Sequence, residues 1–345
     1  MAHQSLYRAY RPQSFKDVEG QPHITEALLA QLQSGKVGHA YLFSGSRGLG
    51  KTSVARIFAK ELKTSDRDLY EIDAASNNSV ENIRSLTENI HTLPFESTYK
   101  VFILDEAHML SKGAWNAFLK TLEEPPAHAL FILATTELDR VPETVQSRCQ
   151  VFEFRKPSRE GITSLVEKVA KKEGYALERG VGELISLLAA GSYRDALSTL
   201  EKVCAVSKDK KISKEEAEQA TGAPKHELVF GFVEALNKGD EDTALSVLRK
   251  VEKQDVDVSL YLSLVLEQLR AILLIRHAKD LHVDLKKEWG EEFETLQNIA
   301  GDGGSKITYT TLKIFLETLG TLRYAPVPTL PLELAVIELK GQDRD

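Results

Sequence analysis

Through residue 155 or so, apolar positions alternate between two spacings, as in a parallel α/β sheet. Residues 40–43 (AYLF) form a short apolar run that ends in a glycine-rich turn. In KTSVARIFAKEL (51–62), Val54, Ile57, Phe58 and Leu62 share one helical face. LYEI (69–72) predicts a second strand, and VENIRSLTENI (80–90) a helix with Val80, Ile83, Leu86 and Ile90 inward. VFIL (101–104) is apolar throughout, as suits a strand covered on both faces. Trp115, Phe118, Leu119 and Leu122 then mark a helix stopped by Pro125-Pro126. ALFILAT (129–135) and the more polar VFEF (151–154) predict the last two strands.

From Pro157 onward the spacing is helical. Ile162, Leu165, Val166 and Val169 mark one helix ending at Gly174. Val181, Leu184, Ile185 and Leu188 mark a second, and a third runs through Val203, which together predict a small bundle. The polar run SKDKKISKEE (207–216) reads as a linker, with capping-box spacing between Ser213 and Glu216. Helical spacing resumes over 225–345, notably apolar from Leu260 to Ile275, with a loop at GDGGS (301–305) and a break at PVPTLP (326–331). The expected organisation is a nucleotide-binding core (1–155), a helical lid (156–210) and a helical collar (220–345), consistent with 345 residues being more than one core usually supports.

Composition changes this picture in few places. No stretch approaches about 18 consecutive apolar residues, so no membrane association is expected. The N-terminus lacks a signal peptide's basic-then-apolar layout, which leaves a cytoplasmic protein as the expectation. A net charge of −7 excludes a chain that is basic overall, so any DNA contact must come from a local patch or from assembly. Cys149 and Cys204 are far apart and in no metal-ligand spacing, which argues against a disulfide scaffold and against zinc.

The chemistry is concentrated after the first strand. Gly45-Ser46-Arg47-Gly48-Leu49-Gly50-Lys51-Thr52 matches G-x-x-x-x-G-K-[ST], with a strand before it and an amphipathic helix after it. Its glycines let backbone N–H groups curl around phosphate oxygens at a helix N-terminus. The expected cofactor-binding set is Gly45, Ser46, Gly48, Leu49, Gly50, Lys51, Thr52 and Ser53. Lys51 reaches the β- and γ-phosphates of ATP, and the Thr52 hydroxyl ligates Mg²⁺. Asp105 closes the 101–104 strand, where the second Mg²⁺ ligand belongs, and Glu106 beside it is the candidate base for the attacking water. The acidic pair argues against a switch GTPase, whose water is usually oriented by glutamine. His108 reads as a packing or capping residue. Thr135 and Thr136 end the next strand, where a hydroxyl could meet the γ-phosphate or simply satisfy backbone. Arg148 and Arg194 are each either functional or surface charges, and periodicity does not separate the two.

Taken together these segments resemble the gamma/tau ATPase of the bacterial replicative clamp loader, within the AAA+ superfamily. The resemblance is carried by RAYRPQSFKDVEGQ (8–21), HAYLFSGSRGLGKTSVAR (39–56), EIDAASN (71–77), KVFILDEAHMLSKGAWNAFLKTLEEPP (100–126), LATTE (133–137), QSRCQ (146–150) and GSYRDALS (191–198). It implies an AAA+ α/β core with a P-loop, a three-helix lid and an all-helical collar. The implied activity is that of a DNA polymerase III ATPase that opens the sliding clamp and loads it on primer–template DNA, in a hetero-oligomer with delta and delta-prime subunits. It implies an adenine-side wall at Arg8, Ala9, Tyr10, Arg11 and Val18, sensor 1 at Thr136, a trans-acting arginine finger at Arg148 and sensor 2 at Arg194. It implies a channel-facing segment at Asn77, Asn78 and Ser79, which could hold DNA phosphates or cap the following helix. Two alternatives stand beside this reading. A non-catalytic delta-prime-like scaffold need not retain Lys51, Thr52, Asp105 and Glu106 together. Another AAA+ remodeller, a helicase loader or a branch-migration motor, leaves the collar-length C-terminus unexplained. One departure is plain: the family's four-cysteine zinc module should precede EIDAASN, yet residues 63–68 contain no cysteine, so no zinc is expected. The sequence also stops at Asp345 without a tau-type extension.

Overall fold

The computed structural model describes residues 4–342 apart from Asp255 and Glu291; the ends of the expected N-terminal segment and collar, 1–3 and 343–345, lie outside it. The described elements run in the order α1 (Leu6–Ala9), α2 (Pro22–Ser34), β1 (Ala40–Ser44), α3 (Lys51–Glu61), β2 (Leu69–Asp73), α4 (Val80–His91), β3 (Lys100–Asp105), α5 (Lys112–Glu123), β4 (Ala129–Thr135), α6 (Glu143–Gln146) and β5 (Gln150–Glu153). Then come α7 (Arg159–Lys172), β6 (Ala176–Leu177), α8 (Val181–Leu188), α9 (Tyr193–Val206), β7 (Lys211–Ile212) and α10 (Lys214–Thr221). Seven further helices follow: α11 (His226–Lys238), α12 (Glu241–Lys253), α13 (Val258–His277), α14 (His282–Trp289), α15 (Glu292–Gly301), α16 (Tyr309–Thr321) and α17 (Leu330–Gln342). The chain forms two compact units, residues 1–174 with 182–201, and residues 175–181 with 202–345.

The first unit is a three-layer α/β/α sandwich. Its five strands are parallel in the order β2-β3-β4-β1-β5, the arrangement expected from near-continuous apolar runs. Alternation along each strand feeds two cores. Leu42, Phe102, Leu104, Phe131 and Leu133 face Ile83, Leu86 and Ile90 of α4 and Trp115, Phe118 and Leu122 of α5. Tyr41, Phe43, Val101, Ile103, Leu130 and Ile132 face Ile24 and Leu28 of α2 and Val54, Ile57 and Phe58 of α3. A one-residue slip in register would exchange these sets, so the two-sided burial fixes the pairing of Ser44 with Thr135 and of Leu104 with Leu133.

The second unit has its own apolar core, built largely on α13. That helix is long and apolar enough to span a bilayer by length and composition. In the fold, however, Tyr261, Leu262, Val265, Leu269 and Ile272 are buried against Phe232 of α11, Leu296 of α15 and Phe315 of α16.

The 207–216 segment departs from the linker expectation. Its backbone is used twice: β7 pairs in parallel with β6, and a reciprocal cap starts α10. The Ser213 N–H donates to Glu216 Oε2 at 3.0 Å, and the Glu216 N–H donates to Ser213 Oγ at 3.2 Å. Polarity there reflects capping chemistry, not a free linker. The PVPTLP break is also shorter than its composition suggests, because α17 begins at Leu330 and takes Pro331 into its first turn, where no helical N–H is needed.

The short interval at residues 63–68 is closed by one carboxylate. Asp68 is 1% exposed and accepts N–H bonds from Phe95 (2.6 Å), Glu96 (3.0 Å) and Ser97 (2.9 Å). Burial alone would raise its pKa, but these amides outweigh burial and hold the carboxyl well below the usual aspartate range. Its stabilising contribution is therefore present above the unfolded pKa of about 3.9 and is lost as pH falls through the lower folded value. Asp68→Asn should lower unfolding free energy by about 1–3 kcal/mol near pH 7, with an unchanged denaturant slope. The gap between variant and parent should narrow below about pH 4. A variant as stable as the parent at neutral pH would show that the three amides do not depend on this carboxylate.

Candidate nucleotide-binding site

Parallel strands place their carboxyl ends at one edge of the sheet, and β4 lies between β1 and β3. Three segments therefore converge: the 45–52 segment after β1, Asp105-Glu106 at the end of β3 and Thr135-Thr136 at the end of β4. The convergence follows from strand order, as ligand sites at the carboxyl edges of open α/β sheets generally do.

The loop adopts the conformation its glycines allow. Gly45, Gly48 and Gly50 have φ values of 139°, 78° and 95°. A Cβ at Gly48 would fall 1.9 Å from Ser192 Oγ, so a side chain there is excluded by space as well as by backbone strain. Lys51 is 6% exposed, and its ammonium donates to the Gly45 carbonyl at 2.6 Å and the Ser46 carbonyl at 2.8 Å. Burial lowers its pKa below the usual lysine value, while Glu106 and Asp105 pull in the opposite direction. Leu49 is buried in the core shared with Val54 and Phe154 and anchors the loop from beneath.

Thr52 Oγ1 donates to Asp105 Oδ2 at 2.9 Å and so links the first turn of α3 to the end of β3. A hydroxyl and a carboxylate side by side are hard oxygen donors, a set that fits Mg²⁺. The loop glycines and the buried lysine fit a triphosphate. Among the described residues, no group of three or more His, Cys, Asp or Glu side chains is arranged to hold a metal ion on protein ligands alone.

Glu106 follows Asp105 in the left-handed region, at φ 49° and ψ 44°. For a residue with a Cβ this conformation is strained, and strain of this kind clusters at functional sites. Thr136 Oγ1 donates to Glu106 Oε2 at 3.0 Å. Thr135 is fully buried and donates instead to the Glu137 carbonyl at 3.1 Å, which separates the two adjacent threonines by partner.

A cleft of about 1060 Å³ opens over the loop. Of the expected cofactor and catalytic residues it gathers Arg8, Tyr10, Arg11, Val18, Gly48, Leu49, Gly50, Lys51, Thr52, Ser53, Asp105, Glu106 and Arg194. Arg11 Nε donates to Ser53 Oγ at 2.9 Å, and burial, with Arg56 nearby, lowers its pKa. The Arg194 guanidinium lies 4.9 Å from the centre of the Tyr7 ring. Gly45 and Ser46 lie outside the lining and act through their carbonyls on Lys51. Ala9 and Thr136 also lie outside it.

Sequence reasoning missed Tyr7, Tyr193, Leu165 and Leu197 as cleft residues. Tyr193 and Leu197 are four apart on α9 and share a face, a signal that was readable. Tyr193 also packs on Gly20, where a Cβ would meet its hydroxyl at 2.6 Å, and burial pushes its pKa up to about 12.

Arg148 and the 77–79 turn stand apart from the cleft lining. The Arg148 guanidinium donates to Glu123 Oε1 and to the Thr144 carbonyl, each at 2.7 Å. This partly exposed ion pair is worth little, on the order of 0–1 kcal/mol, and so is easily exchanged for another anion. In the turn, capping falls to Ser79, whose hydroxyl accepts from the Asn82 N–H at 3.2 Å. The Asn77 carboxamide donates to the Asp73 carbonyl, and the Asn78 carbonyl accepts from the Ser111 N–H, so neither asparagine caps α4.

Comparison with known proteins gives consistent relationships. Residues 20–75 and 63–158 match a family described as DNA polymerase III, delta subunit, and residues 212–343 match DNA polymerase III subunits gamma and tau domain III. The chain is 37% identical over 360 residues to DNA polymerase III subunit tau of Bacillus subtilis, covering 98% of this chain and 63% of that protein. It is 33% identical over 364 residues to DNA polymerase III subunit gamma of Buchnera aphidicola subsp. Schizaphis graminum, covering 98% of each. Among solved structures, the Thermotoga maritima RuvB Holliday junction branch migration motor superposes with a TM-score of 0.53 at 19% identity, over 92% of this chain and 93% of that one. That likeness shows a shared fold alone.

Cys149 follows Arg148 directly and packs against the core under α5. Burial pushes its thiol pKa up to about 12, so at pH 8 only about one in 10⁴ is thiolate. Alkylation of the Cys149 peptide by iodoacetamide at pH 8, followed by mass spectrometry, should be far slower in the folded protein than in urea. Equal rates would show that the segment bearing Arg148 is not held as described.

Proposed function

Since the chain belongs to the family of DNA polymerase III gamma and tau subunits, we propose that it is an ATP-hydrolysing motor subunit of a sliding-clamp loader. The observation that carries the reading is the Thr52–Asp105 hydrogen bond beside a buried Lys51, because it brings the phosphate-binding and metal-binding halves of one site into contact. Lys51 binds the β- and γ-phosphates, and Thr52 with Asp105 holds Mg²⁺. When bound, the metal neutralises charge on the phosphate oxygens. Glu106 takes a proton from the attacking water on its carboxylate, and Thr136 orients it through Oε2. Arg8, Ala9, Tyr10, Arg11 and Val18 wall the adenine side, and Arg194 on the first turn of α9 reports the nucleotide to the lid.

Arg148 serves the neighbouring subunit's site. Its distance from its own cleft lining and its easily exchanged partner support that role. The working division is a core (1–155), a lid (156–210) and a collar (220–345) that holds subunits together, with delta, delta-prime and the sliding clamp as partners in the cytoplasm. Asn77, Asn78 and Ser79 contact primer–template DNA, and the exposed positions of Asn78 and its neighbours Ala75 and Ser76 support this. ATP binding favours the clamp- and DNA-gripping arrangement and hydrolysis releases it, so the nucleotide shifts a population between two states.

Two measurements test this. Lys51→Ala should abolish ATP binding, whereas Glu106→Gln should bind ATP normally and hydrolyse it about 10²–10⁴-fold more slowly. Hydrolysis at the parental rate by Glu106→Gln would remove the base assignment. In the assembled loader, primer–template DNA and clamp together should stimulate ATPase, and replacing Asn77 and Asn78 should weaken that stimulation while sparing basal turnover. Stimulation that ignores the clamp would contradict a loading role.

A further inference from the structure

His108 was read from sequence as packing or capping, yet its surroundings are polar and crowded. Its side chain is 6% exposed. Nδ1 lies 3.1 Å from Thr135 Oγ1 and 3.5 Å from Glu106 Oε2, and Nε2 lies 3.4 Å from Glu137 Oε1. Thr135 fixes the chemistry of this contact. Its single hydroxyl hydrogen goes to the Glu137 carbonyl at 3.1 Å, and the same oxygen accepts the Glu137 N–H at 3.1 Å. One lone pair remains, so the ring nitrogen facing it must be a donor. The reverse assignment would leave the Glu137 carbonyl with the Arg140 N–H alone, at 3.3 Å, and set a nitrogen lone pair against the Glu106 carboxylate. A hydrogen on Nδ1 meets both of that nitrogen's contacts, because it lies between Thr135 Oγ1 and Glu106 Oε2.

We propose that His108 is a positioning residue for hydrolysis: its Nδ1–H, held by Thr135, and the Thr136 hydroxyl together fix Oε2 of Glu106, leaving Oε1 for the proton of the attacking water. This rests on Glu106 being the base. Two groups then meet the same oxygen of a strained left-handed residue: the Thr136 hydroxyl donates to Oε2 at 3.0 Å, and Nδ1 of His108 lies 3.5 Å from it. At the far side of the ring, Glu137 is tied to Arg140, whose Nε lies 2.9 Å from Glu137 Oε2, so the imidazole is braced from both faces.

The test exploits the two amide isosteres of histidine. In His108→Asn the amide nitrogen occupies the place of Nδ1; in His108→Gln it occupies that of Nε2. All variants are assayed in the same assembly as the parent. His108→Asn should keep kcat within about threefold, whereas His108→Gln and His108→Ala should lose about tenfold or more, with KM and ATP affinity unchanged. A packing role would not favour the shorter amide. Parental kcat in all three, equal losses in all three, or rescue by Gln instead of Asn overturns the proposal, provided Glu106→Gln is inactive. Hydrolysis surviving in Glu106→Gln would overturn the base assignment and this proposal with it. Should the variants fail to fold, histidine-selective ¹⁵N NMR of the parent decides: a protonated Nδ1 on His108 supports the proposal, and a neutral ring protonated only at Nε2 overturns it.

Discussion

The hydrogen bond from Thr52 to Asp105 depends on every level of the first unit beneath it. It requires α3 to start directly after the glycine loop, β3 to end at Asp105, and β1 and β3 to lie two positions apart with β4 between them. That order is held by side chains buried on both faces of the sheet, where a shift by one residue would exchange the two cores. A three-layer sandwich of this kind is rigid because its interior is close-packed, and rigidity is what a site built from three separate strand ends needs. The charges gathered there are stabilised locally: the Lys51 ammonium is turned onto loop carbonyls, and the Glu106 carboxylate accepts from the Thr136 hydroxyl.

Much of this was legible in the residue pattern, for identifiable reasons. The strands are apolar without alternation because both faces are covered, and the loop glycines are required by positive φ and, at Gly48, by the approach of Ser192. The assignment of Thr136 over its neighbour Thr135 was not readable from spacing. It depends on which hydroxyl points toward Glu106, a property of the strand's last turn of pleat. His108 was undervalued because a histidine near a helix start usually caps or packs, and only the geometry brings both carboxylates and both threonines into view. In the 207–216 segment the Ser213–Glu216 capping box is readable from spacing, whereas the two-residue parallel bridge is hidden by a composition that reports solvation. Tyr10 is an expected cleft residue, whereas Tyr7 and Tyr193 are hidden in the pattern because they come from segments far apart in sequence.

Asp68 shows how the fold closes the short interval at residues 63–68. A single buried carboxylate, satisfied by three amides, closes the turn into β2. The constraint is local to the amino end of β3, whereas the Thr52–Asp105 pair lies at its carboxyl end. The chain thus has its phosphate loop and acidic pair at one end of the sheet and a cysteine-free interval, residues 63–68, at the other.

The central claim is that one chain supplies the phosphate loop and the acidic pair while its neighbour supplies Arg148. The most direct measurement mixes Arg148→Ala chains with Glu106→Gln chains, after native mass measurement has established that mixed assemblies form. An arginine acting on the next subunit predicts ATPase above either variant alone, because some interfaces pair an intact arginine with an intact pocket, and such arginines are worth about 10³–10⁵ in rate elsewhere. Mixed assemblies that show no recovery would contradict the account, and would place Arg148 in its own subunit's structure instead.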